Sequence, residues 1–287
     1  MIETYGFERQ GRDLVKPFHG RMLTLTRLDT VPEIEPYMDL YQEIWGLDER
    51  GRIPAHEPTV AARVGGLFLG VELDREKVGL VYVLPAYDPE NGYHHHSNIM
   101  GFKAEYQKMG LGMEAKRAHA LLAGEMGVKL VTWTFDPFML PNANLNFRKL
   151  GGIVRTYLED AYGPYGGRYD PGLPTDRFLV EWRLDRERVQ TRLRGDWPLM
   201  EELCQRGQAA PVFRDPAEEP TASAYRVEVP ANLLERAQQD PEAGREEQRA
   251  FRSRIQSLLR TGFRVTEFLR ETSRPASTYY LLEKSPA

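Results

Sequence analysis

Between Ser97 and Met126 the chain passes from an apolar run, Asn98-Ile99-Met100-Gly101-Phe102, through a polar turn, Tyr106-Gln107-Lys108-Met109-Gly110-Leu111-Gly112, into a helical pattern. The run has the length of a strand. Met113, Ala115, Ala118, Leu121, Leu122 and Met126 then recur at three- and four-residue steps, the spacing of one helix face. A strand therefore feeds a helix through a glycine turn. That geometry leaves the first N–H groups of the helix without internal partners and aims them, with the positive end of the helix dipole, at the turn. An anionic phosphate fits there: Gly110 and Gly112 let backbone and ligand approach closely, and Lys108, Lys116 and Arg117 add positive charge nearby. The Gly-x-Gly-x-x-Gly of dinucleotide-binding folds and the Gly-Lys-Ser/Thr ending of a P-loop are both absent. A glycine turn is also ordinary punctuation before a helix, so its surroundings must decide.

With 287 residues, 41% of them hydrophobic, the chain can form one large or two modest domains around a real core. A net charge of −4 with 28% charged residues gives no sign of a basic nucleic-acid surface. The single Cys204 excludes an internal disulfide and any Cys-rich zinc module, which suits a reducing compartment. No apolar run reaches the roughly 18 residues of a membrane span. Glu3, Glu8 and Arg9 do not read as a signal peptide, so the cytoplasm is the expected location.

Residues 1–20 carry scattered charge and read as a mobile or loosely docked lead-in. Met22 to Thr26 alternates as a first strand, and Asp29, Thr30 and Pro32 open a helix that runs to Trp45. Gly46 to Pro58 is a loop or a short second helix. Leu67–Val71 and Val78–Leu84, joined by Asp74-Arg75-Glu76, form an antiparallel hairpin, and the loop Pro85 to His96 leads into the central strand. After the glycine turn and its helix come a strand at Val128–Phe135, a helix at Asn142–Leu150 ended by Gly151-Gly152, and strands at Ile153–Leu158 and Arg177–Trp182. A tyrosine- and glycine-rich loop, Ala161 to Leu173, separates the last two.

The spacing Gln107-x-x-Gly110-x-Gly112 resembles the pyrophosphate loop of the GNAT acyltransferase superfamily, and the element order from Arg21 to Trp182 is similar to that whole fold. The strings Leu130 to Pro137, Asn142-Ala143, Asn146-Phe147-Arg148-Lys149-Leu150-Gly151 and Leu173 to Phe178 look like a bacterial branch of that superfamily. The expected fold class is α/β (α+β): a mixed, largely antiparallel central sheet flanked by helices, with a C-terminal α+β extension. The expected divisions are a lead-in at 1–20, the acyltransferase domain at 21–183, a linker or peripheral segment at 184–222 and the extension at 223–287. In the extension, helix, Gly262-Phe263, strand, loop and strand repeat the pattern of 142–182, so it is either a partial second copy of the acyltransferase half or a simple α+β arm.

The resemblance implies acetyl-CoA or another acyl-CoA as co-substrate and no metal. It implies that the strand through Ile99 to Lys103 splays from Val131 to Phe135, with the pantetheine arm between them on the main chain of Gly101, Phe102 and Lys103. The N–H of Phe102 would polarise the thioester carbonyl. Gln107, Lys108, Met109, Gly110, Leu111 and Gly112 would hold the pyrophosphate through their N–H groups. Asn142 and Asn146, four apart on one helix face, are candidates for the pantetheine amide, or else a cap and a satisfied polar contact. Many members carry a tyrosine where Phe147 stands, and it protonates the leaving thiolate. Phe147 cannot, so Tyr157 and Tyr162 are alternative donors unless they simply pack, or the thiolate leaves unaided.

An amine attacks only when neutral, so a base is needed; His94, His95 and His96 lie near the acceptor, with His96 nearest the strand and Glu105 the runner-up. The bland alternative is that these histidines are capping or solvated. His94 and His96 lack an evident third ligand for a metal. Tyr162, Arg168 and Arg177 are candidates for acceptor binding, with the region from Trp45 to His56; an arginine there suits an acceptor carboxylate, although Arg177 reads equally as a strand-edge residue paired with Asp176 or Glu181. The expected partner is a small-molecule amine or amino acid, not a nucleic acid or a membrane, and a homodimer is compatible with the sequence. The competing reading is a coenzyme A-binding sensor or assembly module without catalysis.

Overall fold

The computed structural model describes residues 5–163, 172–271 and 277–284, with the backbone alone at position 50. The chain forms two compact units that divide between Trp133 and Thr134, with Arg183–Asp185 belonging to the first. The division therefore falls inside a strand and not at residue 183.

The first unit holds β1 (Glu8–Gln10), β2 (Asp13–Phe18), β3 (Arg21–Arg27), α1 (Val31–Trp45), α2 (His56–Arg63), β4 (Leu67–Leu73), β5 (Glu76–Asp88), β6 (Gly92–Phe102), α3 (Leu111–Glu125) and the start of β7 (Leu130–Phe135). Its strands lie in chain order and are antiparallel except for β6 and β7, which are parallel. The middle of the sheet is covered on both faces, which is why β4 reads as one continuous apolar run. Leu67, Leu69 and Val71 pack towards Leu111, Ala115 and Leu122 of α3, while Phe68 packs with Leu80, Tyr82 and Ile99 towards Ile34 and Met38 of α1. The link between β4 and β5 is a two-residue turn, with Asp74 at φ 50° and Arg75 at φ 71°, the backbone that joins twisted strands tightly.

Two expectations fail here. Residues 5–20, the described part of the expected lead-in, are not loose: β1 and β2 form a hairpin that adds to β3, and Phe7, Leu14 and Val15 are buried. Three scattered apolar residues make no periodicity, but a hairpin needs only backbone pairing and one packed face. Pro85 to His96 is likewise no loop, because β5 and β6 stay paired from Gly79↔Phe102 to Asp88↔Gly92. Asp88 closes that hairpin by accepting from the N–H of Glu90 and Asn91, so the three histidines lie inside β6.

The second unit holds α4 (Leu140–Ala143) continued by a π-helical turn (Asn144–Lys149), β8 (Ile153–Leu158), most of β9 (Arg177–Arg183), α5 (Glu187–Arg194), α6 (Met200–Gln208), β10 (Ala224–Glu228), α7 (Leu233–Gln239), α8 (Pro241–Arg260), β11 (Phe263–Arg270) and β12 (Thr278–Lys284). Its strand order is β9-β8-β11-β12-β10, antiparallel at every pairing recorded. Phe147, Phe178, Phe251 and Tyr280 form its aromatic centre, with Phe178 and Tyr280 ring centroids 5.1 Å apart. Asp240 caps α8 by accepting from the Ala243 N–H, which explains the break between α7 and α8 at Asp240-Pro241.

The segment 184–222, expected as a linker, carries α5 and α6. Its arginines make it look solvated, but Arg188, Arg192 and Arg206 converge on Oε1 of Glu267 at 3.0, 2.7 and 3.3 Å, and Glu267 is fully buried. The β8–β9 and β11–β12 hairpins meet antiparallel at Val154↔Val265, and each strand carries a register shift two residues on, at Thr156 and Glu267.

Candidate functional site

In the first unit β6 and β7 pair at His95↔Val131 and His96↔Thr132. Two residues further on, β6 carries an extra residue against β5: Ser97 faces Val83 and Ile99 faces Tyr82, which leaves Asn98 bulged and exposed. A bulge bends its strand, and among the described residues no β6–β7 pairing continues past His96 and Thr132. The two strands therefore fork.

The ladder to β5 decides which main-chain groups face the fork. Lys103 donates its N–H to Val78 O at 2.9 Å, so Lys103 is turned towards β5. Alternation in an antiparallel ladder then turns Gly101 the same way and leaves the N–H groups of Phe102 and Met100 pointing away from β5. Of the three residues expected along a pantetheine arm, Gly101, Phe102 and Lys103, only Phe102 has the required direction; Met100 joins it. Gly101 serves differently. A Cβ there would stand 2.0 Å from the Trp45 ring, so its lack of a side chain is what lets α1 pack onto the strand.

Past the fork, Ala104–Tyr106 makes a 3-10 turn, Lys108 takes φ 68°, and Gly110 takes φ 98° as the residue before α3. Among the described residues the N–H groups of Lys108, Met109, Gly110, Leu111 and Gly112 have no hydrogen-bond partner, while that of Met113 turns back to Gly110 O. Five adjacent amides thus open at the positive end of a 15-residue helix. Gln107 is excluded from the expected set of six, because its N–H goes to Ala104 O and its side-chain amide to Phe102 O. A Cβ at Gly110 would meet nothing nearer than Phe18 at 4.0 Å, so the cradle is open in front of that residue. His19 braces it by donating from Nε2 to Met109 O at 3.1 Å. Glu114 lies in the first turn of α3, where its charge would oppose an anion, but Lys16 and Arg117 each donate to it at 2.8 Å. Lys116, expected near the phosphates, is elsewhere. Its Nζ donates to Ser97 Oγ at 3.0 Å and lies 3.8 Å from the centroid of the Trp133 ring, and the side chain is buried.

The three histidines have separate environments. His94 donates from Nδ1 to Gly92 O and lies near Asp88. His95 donates from Nε2 to Gly65 O at 3.0 Å, so its Nδ1 must accept, and it accepts from Nε2–H of His119 at 3.1 Å. That leaves the His119 Nδ1 lone pair buried with no partner among the described residues. Burial holds both rings neutral, pushing His95 down to about 4 and His119 well below the usual histidine range.

His96 projects to the opposite face, the α1 side, because strand side chains alternate. Its Nδ1 is 2.9 Å from Thr132 Oγ1, and that hydroxyl donates in turn to His95 O at 3.4 Å. Thr132 must then accept from the His96 Nδ1–H, which leaves Nε2 as the unprotonated nitrogen. Burial first, and then the charges of Lys116 and His94, lower His96 below its ordinary value.

The remaining candidates are not assembled in this way. Glu105 is exposed on the 3-10 turn, nine residues from His96 and beyond about 20 Å of strand, so it cannot share a proton path with the fork. In the second unit the Tyr157 hydroxyl donates to Asp176 Oδ2 at 2.6 Å, and Arg252 clamps both Asp176 oxygens at 2.9 and 3.0 Å. Burial and that carboxylate push Tyr157 above the usual phenol range, which makes it a structural donor and no acid. Arg177 donates to Asp176 O at 2.8 Å, stands 3.9 Å from Asp136 and covers the ring of Tyr162. The Tyr162 hydroxyl pairs with Thr134. Arg168 lies outside the described residues. Asn142 and Asn146 do not share an α-helical face, since the π-turn begins between them; Asn142 is exposed and Asn146 is 3% exposed. Arg52 and His56 line a surface concavity with Val31 and Glu35, towards the start of α1, whereas Trp45, at the other end of that helix, packs on Gly101 of β6. Among the described residues no cluster of three or more His, Cys, Asp or Glu is placed to hold a metal, and no helix is long and apolar enough to cross a membrane.

Sequence reasoning missed Thr132, Ser97, Met100 and His19. Each matters through a neighbour distant in sequence: the register of β6 against β5 and β7 decides the first three, and the approach of the β2–β3 turn to Met109 decides His19.

No protein-family model matches the chain, and no curated protein matches its sequence. Solved structures with a similar course of the chain include the ribosomal-protein-S18-alanine N-acetyltransferase from Escherichia coli, 13% identical, over 57% of this chain and 96% of that one at a TM-score of 0.43. An acetyltransferase of the GNAT family from Streptococcus pneumoniae is 15% identical over 55% and 97% at 0.41. A GNAT family acetyltransferase from Elizabethkingia anophelis with acetyl-CoA bound is 12% identical over 56% and 97% at 0.37.

Proposed function

We propose that this chain is an acyl-CoA-dependent N-acyltransferase that moves an acetyl or larger acyl group to the amine of a small molecule, by direct transfer with both substrates bound. The observation that carries this reading is the row of five unpartnered amides, Lys108 to Gly112, at the mouth of α3 and next to the fork. Open N–H groups at a helix start are the donors a pyrophosphate takes. The coenzyme supplies the thioester; every other element of the reaction is assigned to the chain itself.

The N–H groups of Lys108 to Gly112 bind the pyrophosphate, with Lys108 adding positive charge. Phe102 and Met100 offer main-chain groups to the pantetheine arm along the open edge of β6, which leads the thioester towards Ser97 and the crotch of the fork. His96, neutral and unprotonated at Nε2, takes the proton of the attacking amine. The acceptor is assigned to the α1 side of the sheet, the side to which His96 projects and on which Trp45 covers Gly101. A small amine or amino acid remains the acceptor class we favour.

The alternative, a coenzyme A-binding module without turnover, draws on Phe147, which is fully buried against Phe135 and Tyr280 and has no proton to give. Free-thiol release from acetyl-CoA across a panel of amines and amino acids separates the two. Release with at least one acceptor supports the enzyme; saturable binding of acetyl-CoA with no release on any of them supports the module.

A further inference from the structure

We propose that Lys116 is the acid that delivers a proton to the leaving coenzyme A sulfur. This rests on the acyltransferase reading above and answers the question that Phe147 raises.

The argument begins at the crotch of the fork. His96 and Thr132 are the last paired residues of β6 and β7, so Ser97 and Trp133 are the first residues of the two arms. Lys116 reaches both: its Nζ donates to Ser97 Oγ at 3.0 Å on one arm and sits 3.8 Å from the Trp133 ring centroid on the other. A cation over an indole face is a stabilising arrangement, so the contact suits the charged form. The side chain is only 2% exposed, held from α3 at the point where a thioester lying along β6 would end. Tyr157, one of the two tyrosines considered for this task, is bound to Asp176 instead.

Burial brings Lys116 down to about 7, a value at which an amine releases its proton to a thiolate whose ordinary pKa is near 8.5. Among the described residues, His96 on the adjoining strand and His119 one turn along α3 are both lowered in part by the charge of Lys116.

The step balances as follows. The neutral acceptor nitrogen forms a bond to the acyl carbon, and the carbon–sulfur bond breaks with its electron pair staying on sulfur. The acceptor's proton goes to His96 Nε2, and Lys116 Nζ gives a proton to sulfur, so the products are an amide and a thiol. Lys116 is then neutral and His96 an imidazolium; release of the His96 proton and reprotonation of Lys116 before the next turnover restore both. The pair carries one positive charge throughout, and the loss of charge at Lys116 raises the proton affinity of His96 in the same step.

The test compares Lys116→Met, which keeps the chain volume, and Lys116→Arg, which keeps the charge but releases no proton near neutral pH. Both are assayed with acetyl-CoA and the best acceptor of the amine panel, beside calorimetric binding of acetyl-CoA and a thermal melt. The expected result is a loss of about 100-fold or more in kcat in both, with acetyl-CoA affinity within threefold of the parent protein, and disappearance of the falling limb of the kcat profile at high pH. Parent-like kcat in either variant, or an unchanged high-pH limb, overturns the assignment; if Lys116→Met does not fold, Lys116→Arg decides alone. An unmodified protein that releases no thiol with any acceptor refutes the acyltransferase reading itself, whereas a fast Lys116→Arg enzyme refutes only the role of Lys116.

Discussion

His96 donates its Nδ1–H to Thr132 Oγ1 across the last pair of the β6–β7 ladder, and the Thr132 hydroxyl is turned towards His95 O. One hydroxyl therefore selects the tautomer whose free nitrogen can act as a base. Thr132→Val removes that selection while keeping the branched shape, and should lower kcat by about tenfold, with His96→Ala lowering it by about 100-fold or more. Acetyl-CoA binding should change little in either. The pH profile gives the finer check: a base whose pKa lies below 6.5 keeps activity full above that pH and loses it as pH falls, and Thr132→Val should move that limb. A His96→Ala enzyme with parent-like rate and profile would remove His96 from the mechanism.

Gly110 holds φ 98° in front of the five open amides. A branched residue is strained there by about 1–3 kcal/mol and would twist the cradle to escape. Gly110→Val should weaken acetyl-CoA binding at least tenfold, measured by calorimetry, with the sheet intact by circular dichroism. Unchanged affinity would show that the ligand does not use these amides.

His95 and His119 are buried and neutral, with folded pKa values below the ordinary 6.5 of the unfolded chain. Below pH 6.5 the unfolded chain takes up protons that the folded one refuses, so stability falls as pH falls through the window from 6.5 towards 4. Between pH 7 and pH 5 the pair should cost about 3–4 kcal/mol, at about 1.4 kcal/mol per pH unit for each histidine well below 6.5. Denaturant unfolding at the two values reads this directly. His119→Gln, which keeps a donor for His95 Nδ1, should roughly halve the slope; an unaltered slope would mean that other groups control acid stability.

Tyr157→Phe distinguishes structure from chemistry. The hydroxyl satisfies one oxygen of the buried Asp176, so its removal should destabilise the protein by about 1.5–3 kcal/mol, since the acceptor is charged. The acyl-transfer rate should stay within twofold of the parent. A rate loss larger than the stability loss explains would return Tyr157 to the reaction.

What the sequence reveals depends on where each contact is made. The apolar run of β4, the two-residue turn at Asp74-Arg75 and the passage from β6 through Gly110 into α3 are local signals, and each matches its observed element. The β1–β2 hairpin is hidden because it is held mainly by pairing to β3. Residues 184–222 look like a linker because Arg188 and Arg192 are read as solvated, and only Glu267, some 75 residues further on, reveals them as packing residues. The relation of Asn142 to Asn146 is misjudged for a local reason: a π-turn begins at Asn144, and regular helical spacing cannot anticipate it. The histidines are visible as a cluster, but their division into one structural pair and one candidate base depends on alternation within β6 and on partners at His119 and Thr132.

The central claim is that the amides of Lys108 to Gly112 receive the pyrophosphate of an acyl-CoA. Backbone amide NMR of the protein titrated with acetyl-CoA observes those five groups themselves. The account predicts large, saturable downfield shifts at Lys108 to Gly112 and at Phe102, with Gln107, whose N–H is already bonded, moving least. Shifts confined to other parts of the chain, or none at saturating acetyl-CoA, would contradict it.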